Sequence, residues 1–164
     1  MLWVIFWKKK KSKIRSNLKN KIMETQPFVI ERVYNAPIAK VWEAITDHNK
    51  MKEWYFQLED FKPEVGFTFT FNGGSKEKTY VHLCEVTEVI PGKKLTHSWN
   101  YEGYPGGSFV TWELFDEGDK TRLKLTHAGL ETFPQDTKDF SRESFTKGWT
   151  HITGTSLANY LEKI

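Results

Sequence analysis

The sequence predicts an α+β domain: one early strand, two short helices, a run of antiparallel strands and a long terminal helix. Three observations carry the prediction. Just after the first strand the apolar spacing is helical; from Pro63 to about residue 140 it alternates with a period of two, broken only by turn clusters; from there to the end it is helical again.

The elements follow in order. FVIERVYN, from Phe28, sets Phe28, Ile30, Arg32 and Tyr34 against Val29, Glu31, Val33 and Asn35, the alternation of a strand. In APIAKVWEAITDHNKMKEWYF the period changes, and Ile38, Val41, Trp42 and Ile45 fall at i, i+3, i+4 and i+7 behind a first-turn proline, Pro37. A second short helix is expected through Met51, Trp54 and Tyr55. GFTFTFN, KTYVHLCEVTEVI (a long strand with room for a bulge), KLTHSWNYE, FVTWELFD and TRLKLTHAG then read as strands, joined by NGGSK, PGK, the glycine-rich YEGYPGGS and EGDK. The last segment, Phe140 to Ile164, carries a helical stripe of Phe145, Trp149, Ile152, Tyr160 and Leu161 and is expected to be the longest helix.

A sheet covered on one face alternates apolar and polar residues along each strand. The late strands do so, which places Leu95, His97 and Trp99, then Val110, Trp112 and Leu114, then Leu123, Leu125 and His127 on the face toward the terminal helix. The inward parity of His82 is left open by the bulge expected in its strand.

With 164 residues and 38% hydrophobic content the chain suits one domain with a real core. Eight of its 24 lysines and arginines lie within residues 1–22, which hold no acid; the remainder has 16 against 21 acids, a net charge of −5. A body of that sign argues against a nucleic-acid partner. The single cysteine, Cys84, excludes a disulfide framework, and a reducing cytoplasm is the simplest home.

The opening MLWVIFWKKKKSKIRSNLKNKIM reverses the order of a secretory signal, and its apolar part is far short of the roughly 20 residues a spanning helix needs. We expect residues 1–26 to be a basic extension, disordered or loosely packed or not native, with Met23 as the native start and residues 27–164 as the single folded domain. Membrane contact is expected only if residues 1–22 are native, through Trp3, Phe6 and Trp7 backed by Lys8–Lys11.

Several stretches together resemble the START-like, or SRPBCC, helix-grip superfamily, and within it the group named after activators of the ninety-kilodalton heat-shock protein's ATPase. They are NAPIAKVWEAITD (Asn35–Asp47), MKEWY (Met51–Tyr55), EVGFTFTF (Glu64–Phe71), EVIPGKKLTHSW (Glu88–Trp99), VTWEL (Val110–Leu114), TRLKLTHAGL (Thr121–Leu130) and KGWTHITGTSLANYL (Lys147–Leu161). Each is weak alone; their order and spacing over Phe28–Ile164 carry the resemblance. It implies a helix-grip fold, a curved antiparallel sheet of about six or seven strands wrapped on the C-terminal helix, with two short helices after the first strand and a cavity between sheet and helix. It also implies an apolar ligand such as a lipid, sterol or polyketide, or else a chaperone partner and a link to stress response.

For chemistry the residues offer little. Glu113 has the wrong parity to orient an inward histidine, no zinc spacing is present, and neither a nucleophile elbow nor a phosphate loop can be found. No catalytic residue, metal or cofactor is therefore expected. Gly148 and Gly154 each cost about 1 kcal/mol relative to alanine within a helix, so close approach to the sheet or room for a ligand is the expected reason. The leading expectation is non-catalytic binding of a small apolar or amphipathic molecule, walled by Trp42, Trp54, Trp99, Trp112, Trp149, Ile152 and Tyr160, with His97 and His127 as polar handles. A chaperone-interacting module is the alternative, and a cyclase- or hydrolase-like enzyme using the same cavity the second.

Overall fold

A computed structural model describes residues 2–164 of the chain. The elements run α1 (Leu2–Thr25), β1 (Phe28–Tyr34), α2 (Ile38–Thr46), α3 (His48–Met51), β2 (Thr68–Gly74), β3 (Thr79–Ile90), β4 (Lys94–Tyr101), β5 (Ser108–Glu117), β6 (Lys120–Ala128), α4 (Arg142–His151) and α5 (Leu157–Lys163). A stretch of π-helix, Ile152–Ser156, joins the last two. Six antiparallel strands form one sheet in the order β1-β6-β5-β4-β3-β2, the α+β helix-grip arrangement expected.

Parity does what the sequence requires. Every inward residue named on β4, β5 and β6 is exposed by 4% or less, and the core they form is shared with the terminal helix. β3 carries its bulge between Val86 and Glu88, beyond His82, so His82 keeps inward parity and is buried.

Local chemistry fixes the ends of the helices. Asp47 caps α3 by accepting from Lys50 N, and Ser141 caps α4 by accepting from Ser144 N at 3.2 Å. The second short helix stops at Met51, short of the expected Trp54 and Tyr55, where Trp54 turns to donate Nε1–H to Ala44 O at 2.9 Å. In the π stretch Tyr34 Oη donates to Thr153 O at 2.7 Å, tying the wider turn to β1.

At the N-terminus, where the sequence suggests a disordered or loosely packed extension, α1 is a helix that buries none of its residues. Its 24 residues make it the longest helix among the described residues, longer than the terminal helix even when α4, the π turn and α5 are taken together as Arg142–Lys163. No helix among the described residues is long and apolar enough to cross a membrane.

Candidate functional site

Between β2–β4 and α4 lies a cavity of about 340 Å³. Its interior wall is aromatic: Phe56, Tyr80, Trp99, Tyr101, Phe140 and Trp149, with His82 among them. Most of the rings meet edge-on or tilted, as with His82 and Trp99 (centroids 4.7 Å apart, 87° between planes) and Trp99 and Trp149 (5.4 Å), while Phe56 and His82 are stacked. Ser75, Asp139 and Lys147 sit at the exposed rim, where Tyr80 Oη donates to Asp139 Oδ2 at 2.7 Å. Tyr104, from the glycine-rich β4–β5 connection, packs on Tyr80 and Phe140 and so backs two rings of the wall.

The glycines explain its shape. A Cβ on Gly148, an exposed member of the cavity lining, would meet nothing within 4 Å, so this position leaves open space at the cavity rim, whereas a Cβ on Gly154 would lie 3.1 Å from the Arg32 guanidinium. The two glycines thus have separate reasons, room in one case and close approach in the other. Gly73 is a third case, since a Cβ there would press within 3.0 Å of both His82 Cε1 and Phe56 Cε1.

Two tryptophan–histidine bonds brace the core beside the cavity. Trp149 Nε1 donates to His127 Nδ1 at 3.0 Å, which obliges the neutral ring to carry its proton on Nε2, 2.8 Å from Ser108 Oγ; Ser108 Oγ then donates to Trp99 O at 2.6 Å. In the same way Trp112 Nε1 donates to His97 Nε2 at 3.3 Å, and His97 Nδ1 donates to Ser98 O at 3.0 Å. Burial lowers His97 from 6.5 to about 4 and His127 to about 3, the latter helped by its histidine neighbours, so both rings are neutral at pH 7.

The candidate residues read from the sequence therefore separate. Trp99, Trp149 and Ile152 line the cavity. Trp54, His97 and Trp112 instead line a void of about 10 Å³ under α2 and α3. His127 is fully buried with both nitrogens spent, and His97 is likewise consumed, so neither offers a polar handle to the cavity. Trp42 is half-buried on α2, and Tyr160 is buried on α5, which packs against α2 at the far end of the terminal helix. Parity says which face a residue takes but not how far along the helix the sheet stands off from it.

His82, Tyr101, Tyr80, Phe56 and Phe140 are among the wall residues the sequence reading did not select. Tyr101 continues the Leu95, His97, Trp99 parity of β4 by one more step, and Tyr80 and His82 share the parity of Cys84 on β3. Extending the alternation to the strand ends would have found these three; Phe56 lies between α3 and β2, where no period marks it.

Little in this arrangement suits acid–base or nucleophilic chemistry. Burial pushes the Cys84 thiol up, Glu113 lies on the outer face, and no cluster of three histidine, cysteine or carboxylate side chains among the described residues is placed to hold a metal ion.

Comparison with known proteins gives the same frame. The family model described as "Activator of Hsp90 ATPase homolog 1-like protein" matches residues 35–162. The chain is similar in structure to MLL2253 from Mesorhizobium loti (27% identity, TM-score 0.67, covering 84% of this chain and 98% of that one). It is also similar to CalU16 from Micromonospora echinospora (28%, 0.62, covering 82% and 75%). DynU16, a protein of the dynemicin biosynthetic locus, shares the fold at 24% identity and TM-score 0.67; the match covers 83% of this chain but only 47% of DynU16. No match is found among curated proteins.

Proposed function

This chain belongs to the activator of Hsp90 ATPase homolog 1-like family, and we propose that it binds a small hydrophobic or amphipathic molecule, without catalysis, in the cavity between sheet and terminal helix. The observation that carries the reading is the cavity itself: about 340 Å³, walled by aromatic rings, and opened by a glycine in a helix that would be better served by alanine. A chaperone-docking role rests on the family description alone and a cyclase- or hydrolase-like role on no acid–base pair, so both stand behind the binding reading.

The test is a thermal-shift screen of fatty acids, sterols and polycyclic aromatic compounds against the full chain and Gly148→Trp. A class that raises the melting temperature of the parent but not of the variant supports the reading. Equal shifts in both, or no shift with any class, would sink it.

A further inference from the structure

His82 and Tyr101 stand side by side in the cavity wall, ring centroids 4.7 Å apart, and neither is exposed by more than 7%. Their hydrogen-bonding capacity is incompletely used. His82 Nδ1 lies 3.1 Å from Tyr80 O, and a carbonyl only accepts, so Nδ1 carries the proton and Nε2 presents a lone pair. Nε2 has no partner among the described residues, yet it is not sealed away, because Tyr55 Oη is the one fully buried side-chain polar atom without a partner there. Tyr101 Oη accepts from Trp99 Nε1 at 2.8 Å, while its own hydrogen has no acceptor.

The cavity interior thus holds one unspent acceptor beside one unspent donor. By contrast His97, His127 and Tyr80 direct their hydrogen bonds to protein partners. Both groups are neutral: burial lowers His82 to about 4, against the opposing pull of the Tyr80 and Phe71 carbonyls, and raises the Tyr101 phenol. The nearest cation in the lining, Lys147, is at the exposed rim.

Resting on the binding reading above, we propose that His82 Nε2 and Tyr101 Oη together recognise one uncharged hydroxyl, a phenol or enol, on a flat aromatic ligand. The ligand O–H donates to His82 and its oxygen accepts from Tyr101. A carbonyl alone leaves Nε2 unpaired, and a carboxylate brings an anion against a lone pair with no cation in the interior. Gly73 keeps this corner of the wall in place, since a Cβ there would lie 3.0 Å from both His82 Cε1 and Phe56 Cε1 and the rings would have to give by a few tenths of an ångström.

Calorimetric titration of the full chain with 2-naphthol, 2-methoxynaphthalene, naphthalene and 2-naphthoate tests the pairing. 2-Naphthol is expected to bind about tenfold more tightly than its methyl ether, with 2-naphthoate weaker still, since an unmatched buried polar group costs about that factor. Tyr101→Phe and His82→Phe should each abolish the preference while naphthalene affinity is kept. Equal binding of the alcohol and its ether by the unaltered protein, or a preference that survives both substitutions, overturns this pairing and leaves the cavity reading standing. Binding of none of the four overturns both.

Discussion

Trp149 Nε1 donates to His127 Nδ1 across 3.0 Å, joining the helix that walls the cavity to the C-terminal end of β6. His127 passes the constraint on through Ser108 to the backbone of Trp99, so the two cavity tryptophans are held by one buried chain of hydrogen bonds. Trp149→Phe leaves His127 Nδ1 buried without a donor and should cost about 1–3 kcal/mol. Urea denaturation monitored by circular dichroism measures it, and an unchanged midpoint would contradict the bracing role.

The neutral histidines make stability depend on pH. In the unfolded chain they take up protons near pH 6.5, whereas in the folded protein His82 and His97 resist until about 4 and His127 until about 3. The unfolded state binds more protons in that window, so folding stability is full above about 6.5 and falls as the pH drops, by roughly 3 kcal/mol for a fully developed shift at His82 or His97 and roughly 5 kcal/mol at His127. Urea midpoints at pH 7.5, 6 and 5, above the main carboxylate range, should decline steadily. A flat profile would show that these rings are not buried neutral.

The two helix glycines should respond oppositely. Gly148→Leu places its side chain in open space at the cavity rim and gains up to about 1 kcal/mol of helix propensity, so the melting temperature should hold or rise while probe affinity falls at least tenfold. Gly154→Leu drives its Cβ toward Arg32 and should lower the melting temperature with little effect on the probe. If Gly148→Leu leaves affinity unchanged, the cavity is not where the probe sits.

Tyr55 Oη is buried without a partner, and burial raises its pKa well above the usual phenol value. Tyr55→Phe removes a polar group that gains nothing in the fold, so stability should stay level or rise by about 1 kcal/mol. Thermal melting of the variant measures this; a clear loss would mean that the hydroxyl is satisfied in solution.

Much of the fold is legible because period is a local property. The alternation Leu95, His97, Trp99 fixes a face without any knowledge of the partner strand, and the same holds for Leu123, Leu125, His127. The site is legible only in part, because cavity and core use the same residue types. Trp99 and Trp112 have the same parity on neighbouring strands, yet one lines the larger cavity and the other the small void, a difference set by which element covers each, α4 in the first case and the α2–α3 region in the second. The sequence signal that survives this ambiguity is cost: a glycine inside a helix has to be repaid by space or by close approach, and Gly148 and Gly154 show one of each.

The most direct measurement is a ¹H–¹⁵N spectrum of the indole Nε1 groups during titration with 2-naphthol. Ligand in the cavity shifts the Trp99 and Trp149 resonances and leaves Trp54 and Trp112, which border the smaller void, in place. Shifts confined to Trp54 and Trp112, or none at saturating probe, would contradict a ligand site between the sheet and α4.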